Sequence, residues 1–253
     1  MNKQALNFKD ITIAFGGLKA IDSLSFDVKE GEIVGIIGPN GAGKTTLFNI
    51  ISRFYKQDTG KIEVFGEDVS SLKPHDVINK GIVRTFQNVE LFKHMTVLDN
   101  LLIGQHRNLN YNIFSSLIMT RRVKRIEEDA KKRAFEILNI LGIGNYAYYY
   151  PINLPYGIQK KVELARALIS NPRILILDEP AAGMNDTETI DLSNKLKELK
   201  DKFNLTIIVI EHHMPFVMNI CDRVVVLNFG KKIAEGTPNE IKLNPQVIEA
   251  YLG

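Results

Sequence analysis

One cysteine in 253 residues, Cys221, rules out an internal disulfide and a thiolate metal cluster, and it suits a reducing compartment. Standing alone, this small soft side chain reads as a core residue. Long apolar runs are missing too. None approaches the roughly 18 residues needed to cross a bilayer, and the start MNKQALNFKD lacks the apolar stretch of a signal peptide. These absences predict a soluble chain facing the cytosol. Strong charge imbalance is also absent: a formal net charge of +3 gives no reason to expect a nucleic-acid partner. The one dense basic stretch, Arg121 to Arg133, is interleaved with Glu127, Glu128 and Asp129, and predicts a solvated helix face rather than a lipid or partner contact. There is no internal repeat, low-complexity tract or heptad run.

What is present is an alternation of strands and helices. The first 30 residues alternate in short runs, as at Leu24, Phe26 and Val28, and read as antiparallel strands. EGEIVGII then gives a turn and a continuous apolar strand, the pattern of a strand buried on both faces. A helix follows GPNGAGKTT, with Leu47, Ile50, Ile51 and Phe54 at helical spacing; GKIEVF and IVRTFQ read as two further strands. From Lys93 to about Pro151 polar and basic helical segments take over, around an irregular insert from Gly104 to Thr120. The core resumes with the helix after LPYG, whose apolar face carries Val162, Ala165, Leu168 and Ile169. Strand RILILD, a helix ending near Phe203, and strands TIIVI and RVVVLN follow, the last with a turn at FGK. The expectation is an α/β fold with a mostly parallel sheet.

Two motifs carry chemistry. Gly38, Pro39, Asn40, Gly41, Ala42, Gly43, Lys44 and Thr45 fit G-x-x-x-x-G-K-[ST], between a buried strand and a helix as that motif requires. Its glycines let backbone N–H groups converge on phosphate oxygens, while Lys44 supplies a point charge and Thr45 a hydroxyl for Mg2+. The second motif, RILILDEP, is an apolar strand ending in Asp178 and Glu179. Beside a phosphate loop, Asp178 suits a Mg2+ ligand and Glu179 a group that polarises water.

Over essentially its whole length the chain resembles an ATP-binding-cassette (ABC) transporter ATPase. Gly38 to Thr46 resemble the family's Walker A loop, Ile174 to Glu179 its Walker B strand, Gln87 its glutamine loop and His212 in IVIEHHM its switch histidine. Phe15 resembles the aromatic that stacks on adenine, although a lone Phe before Gly-Gly suits a core position equally well. LPYGIQ stands where the family carries LSGGQ, with Leu154 and Gly157 in register. In the family this segment covers the ATP of the other subunit. Pro155 has neither hydroxyl nor N–H, and losing one hydrogen bond to a charged group costs about 1.5–3 kcal/mol. Either the helix start still acts, through the N–H groups of Tyr156 and Gly157, or this half-site is only structural. Asn185 replaces a common aspartate, and His213 replaces the acid of EHD.

The resemblance implies a single ABC ATPase domain. Residues 1–92 and 158–236 would form the phosphate-loop core with an N-terminal antiparallel β subdomain, 93–157 an inserted helical subdomain with the signature, and 237–253 a tail. Glu179, His212 and Gln87 would be catalytic. Phe15, the loop from Gly38 to Thr46, and, on a partner's nucleotide, Tyr156 and Gly157 would hold ATP; Thr45, Gln87 and Asp178 would hold Mg2+. LPYGIQKKVELARAL, DEPAAGMN, VIEHHMPFVM, the insert and the ending GTPNEIKLNPQVIEAYLG resemble most the ATP-binding subunit of branched-chain amino-acid importers. The tail and AAGMN also occur in urea and lipopolysaccharide-export ATPases, and the core motifs alone also suit ABC ATPases of translation or DNA repair. The implied partners are a second ABC ATPase, a different chain in the full complex and a second copy in isolation, with two membrane permeases and an extracytoplasmic solute-binding protein. The implied location is peripheral, on the cytoplasmic face of the inner membrane.

Overall fold

The computed structural model describes residues 3–85, 89–105 and 121–252, with 121–123 as backbone only. In chain order the elements are β1 (Gln4–Phe15), β2 (Leu18–Lys29), β3 (Ile33–Ile37), α1 (Lys44–Ile51), β4 (Thr59–Val64), β5 (Glu67–Asp68), α2 (Pro74–Asn79) and β6 (Ile82–Arg84). Then come α3 (Val97–Gln105), α4 (Arg121–Ile140), α5 (Tyr156–Ile169), β7 (Ile174–Asp178), α6 (Asp186–Phe203), β8 (Thr206–Ile210) and α7 (Met214–Ile220). β9 (Arg223–Asn228), β10 (Lys231–Gly236), α8 (Pro238–Leu243) and α9 (Pro245–Leu252) complete the described chain. Packing divides it into two compact units, 1–84 with 173–182 and 189–253, and 85–172 with 183–188.

The first unit holds both sheets. An antiparallel sheet runs in the order β2-β1-β4-β5, and a mostly parallel one in the order β10-β9-β3-β8-β7-β6. In the antiparallel sheet Phe8 stands opposite Phe26 with their rings stacked at 4.5 Å, a cross-strand aromatic pair. Leu24, Phe26 and Val28 are buried, as their alternation predicts. β3, β7 and β8 are buried at every position, which explains why they read as continuous apolar runs. Leu47, Ile50 and Ile51 are buried on α1, but Phe54 is 56% exposed and lies beyond the helix. Arg53 ends that helix in the left-handed region, φ 60°, so the helical spacing stops short of Phe54.

Cys221 is buried against β3, where a Cβ on Gly35 would come within 2.8 Å of its Sγ. Burial pushes the thiol up to about 12, with the charges of Asp222 and Glu211 acting the same way. At pH 8 roughly one thiol in 10⁴ is then ionised, so a disulfide reagent should label native protein far more slowly than denatured protein. Equal labelling rates would contradict this burial.

The second unit is helical. α5 packs on α3 and α4, although its apolar pattern alone placed it with the resumed core. Val162, Ala165, Leu168 and Ile169 are all buried as predicted. On α4, Ala130, Ala134, Ile137 and Leu138 face inward while Lys124, Glu127, Glu128, Asp129, Lys131 and Lys132 are exposed, an amphipathic helix with a solvated charged face. α3 and α5 approach closely: a Cβ on Gly104 would lie 2.9 Å from the Arg166 carbonyl oxygen. Gly104 and Gln105 belong to α3, while residues 106–120 of the expected insert lie outside the described residues.

Candidate functional site

Strand order places the site. β8 lies between β3 and β7, and Ile36 and Asp178 both pair with Ile210, so these parallel strands end level. The loop after β3, the carboxylates ending β7 and the histidines after β8 therefore share one sheet edge. In open α/β sheets this carboxyl end is where ligands bind.

The Gly38–Thr45 loop leads directly into α1. Two glycines are fixed by close approach. A Cβ on Gly38 would lie 2.1 Å from the Leu227 carbonyl oxygen, and one on Gly43, whose φ is +100°, would lie 2.6 Å from that of Ala20. The Gly230 N–H donates to the Ala42 carbonyl at 3.0 Å, fastening the loop to the β9–β10 turn. The Lys44 ammonium donates to the carbonyls of Gly38 and Pro39 at 2.7 and 2.9 Å. Burial lowers its pKa below the usual lysine value, and the charge of Glu179 acts the other way. Thr45 is exposed and Thr46 half-buried at the start of α1, a helix end that offers N–H groups to anions.

Asp178 is 6% exposed. Arg84, ending β6, donates from Nη2 to Asp178 Oδ2 at 2.8 Å and from Nη1 to Asn49 Oδ1 at 2.8 Å, over the ring of Phe48. Asp178 Oδ1 accepts no hydrogen bond among the described residues. Glu179 turns the chain sharply off the strand with φ 48°, a left-handed conformation uncommon for any residue but glycine and often found at active sites. Its Oε1 lies 3.5 Å from His212 Nδ1, and His212 is exposed. Glu179, Asp178, Lys44 and His212 are thus gathered at one edge.

Glu211 is a further residue of this edge that reading the motifs missed. It is 1% exposed, accepts from the Ala181 N–H at 3.0 Å on Oε1, and from the N–H groups of His212 and His213 at 3.0 and 3.1 Å on Oε2. One buried carboxylate thus holds both the histidine loop and the loop after Asp178-Glu179. In sequence it resembles any acid at a strand end. Arg84 was also missed, standing in IVRTFQ without a recognisable spacing.

Gln87 lies outside the described residues. Phe15 is 47% exposed at the end of β1, with Tyr55 edge-on at 5.3 Å. Tyr156 and Gly157 open α5 in the helical unit; Pro155 stands at the N-cap and supplies no side-chain cap. The Pro155 carbonyl accepts from Ile158 and Gln159, while the N–H groups of Tyr156 and Gly157 have no acceptor among the described residues. Asn185 and Glu188 form a reciprocal cap at the start of α6: Asn185 Oδ1 accepts from the Glu188 N–H at 2.9 Å, and Glu188 Oε2 from the Asn185 N–H at 3.0 Å. Asparagine and aspartate cap helices about equally well, so replacing the common aspartate keeps this role.

Comparison with known proteins follows the same lines. A family model described as ABC transporter matches residues 21–182, and one described as branched-chain amino acid ATP-binding cassette transporter matches residues 231–253. The high-affinity branched-chain amino acid transport ATP-binding protein BraF of Pseudomonas aeruginosa is 45% identical over 253 residues, spanning 100% of this chain and 99% of that protein. The ADP conformation of an ATP-binding cassette of an ABC transporter has a TM-score of 0.85 and 37% identity, covering 99% of each chain. A dimeric post-hydrolysis state of another cassette, bound to ADP and Pi, has a TM-score of 0.77 and 25% identity over 92% of this chain and 98% of that one. With a phosphate loop, two strand-end carboxylates and a facing histidine on one sheet edge, this chain belongs to the ABC transporter family and is one of its ATP-binding ATPases.

Proposed function

We propose that this chain is the ATP-hydrolysing subunit of an importer of branched-chain amino acids. The observation that carries the reading is similarity along the full length of the chain to ATP-binding proteins of that transport class, supported by a sheet edge that brings Glu179 within 3.5 Å of His212. Members of the family work with membrane permeases and dimerise. Here the partner cassette is a different chain in the full complex and a second copy in isolation, and an extracytoplasmic binding protein delivers the solute. The segment after Gln87 and the helical region from Lys93 to about Pro151 are the docking surface for the permeases in this reading. Among the described residues no helix is long and apolar enough to cross a membrane, and the reading places the chain peripherally on the cytoplasmic face of the inner membrane.

In this reading the Gly38–Thr46 loop and Lys44 cradle the phosphates, and Phe15 stacks on the base. Glu179 polarises the attacking water, Gln87 senses it and His212 steadies the γ-phosphate. Tyr156 and Gly157 present backbone N–H groups and the α5 N-terminus to the partner's ATP. Mg2+ fits the donors present. It commonly takes one or two carboxylates plus substrate phosphates rather than a cage of acids, and Thr45 with Asp178 Oδ1, which accepts no hydrogen bond among the described residues, supplies that kind of set. When bound it would neutralise phosphate charge. ATP closes the cassettes only through contacts that favour the closed state over the open one.

The test is reconstitution. The purified complex should hydrolyse ATP several-fold faster when a branched-chain amino acid and its binding protein are supplied outside the vesicle. Stimulation by urea with its binding protein, and none by branched-chain amino acids, would overturn the substrate assignment.

A further inference from the structure

The start of α5 packs against a segment from far along the chain. The ring of Tyr156 lies on Gly183: a Cβ built there would meet its Cε1 at 3.3 Å and Cδ1 at 3.4 Å. Gly183 also has φ +77°, a backbone conformation that disfavours a side chain, and a Cβ there would press on the ring. One turn further on, the Lys160 ammonium stands 5.7 Å from the centre of the same ring. Beside it, Glu188 Oε1 would lie 3.5 Å from a Cβ on Gly157. Glu188 is the residue that caps with Asn185, so the loop has a defined shape of its own. Residues 183–188 belong to the same compact unit as α5, apart from the strand that precedes them. The resembling motif carries glycine where Tyr156 stands, and glycine could not reach this loop.

We propose that Tyr156 is a positioning residue: its ring clamps the Gly183–Glu188 loop to the start of α5, so that both segments meet the partner cassette's nucleotide as one preassembled surface. This rests on the reading of Tyr156 and Gly157 as the half-site for the partner's ATP. The clamp does through packing what Pro155 cannot do as a cap. It also gives a role to a large aromatic that is 45% exposed, because the ring lies against the loop at Gly183.

The full-length chain carrying Glu179→Gln, which should accumulate the ATP-bound dimer, is the parent for the test. Two quantities are read: hydrogen exchange of the Asn185 and Glu188 amides without nucleotide, and ATP-driven association by sedimentation. Tyr156→Ala should speed that exchange about tenfold, leave exchange in β7 and β8 unchanged, and weaken association about tenfold. Tyr156→Phe keeps the ring and should stay within about twofold of the parent in both. Unchanged exchange in Tyr156→Ala would overturn the clamp; so would faster exchange with undiminished association. Gly157→Asp separates the two ideas. If it abolishes association while Tyr156→Ala does nothing, only the clamp falls. If Gly157→Asp associates like the parent, the half-site reading falls and the clamp's purpose with it. Should Tyr156→Ala fail to fold, Tyr156→Leu is read in the same way against the same expectations.

Discussion

Glu179→Gln is expected to retain ATP binding while lowering phosphate release by about 10²- to 10⁴-fold, the range that a positioned general base contributes. That corresponds to about 3–5 kcal/mol of transition-state stabilisation. The substitution preserves shape and leaves an oxygen to accept a hydrogen bond, but removes the group able to take a proton. The local backbone favours Glu179 over Asp178 for the proposed role. Asp178 ends the strand buried, with Oδ2 held by Arg84, whereas the left-handed turn at Glu179 lifts the next carboxylate off the strand, within 3.5 Å of His212 Nδ1. Phosphate release from the purified complex, measured beside nucleotide affinity, checks both halves of the expectation. Release at the wild-type rate would remove Glu179 from the role of base.

Glu211→Ala should produce the largest loss of stability at the site. The substitution deletes a buried charge that accepts three backbone N–H groups and removes that acceptor from all three. Hydrogen bonds to charged groups contribute about 1.5–3 kcal/mol each, and the gain from no longer burying the charge offsets part of the loss, so about 3–5 kcal/mol is expected. For a chain of this size that lowers the melting temperature by roughly 10 °C. Turnover should fall as well, since the histidine loop and the Ala181 loop lose their common anchor. Glu211→Gln, which keeps one acceptor oxygen, should fall between the two. Thermal unfolding of the three proteins decides it: a Glu211→Ala melting temperature within about 2 °C of wild type would show that the carboxylate anchors nothing.

Much of the site was legible because its chemistry is local. A phosphate loop must be glycine-rich, must follow a buried strand and must open a helix, and all three conditions lie within a short span around Gly38–Thr46. The Asp178-Glu179 pair is legible for the same reason, as a strand buried on both faces is uniformly apolar until carboxylates end it. Glu211 and Arg84 were not legible as working residues, and for Tyr156 the contact of its ring was not legible. The partners of Glu211 and Arg84 come from other strands and loops, and the ring of Tyr156 rests on a glycine 27 positions later. No spacing rule connects such residues.

The same division holds for the fold. Periodicity marked the antiparallel strands, the apolar runs of the parallel sheet and the amphipathic α4, because burial on one face or two imposes its pattern on neighbouring residues. Periodicity says nothing about which strand lies beside which, and that order is what sets the ends of β3, β8 and β7 side by side. It also let α1 run on to Phe54 and left α5 with the wrong unit, since an apolar stripe records that a helix is buried but not against what. Local rules of backbone and burial were enough for the elements and the phosphate loop. Strand order, the anchor at Glu211 and the contact of Tyr156 with Gly183 arose only from tertiary packing, where residues distant in the chain compete for the same space.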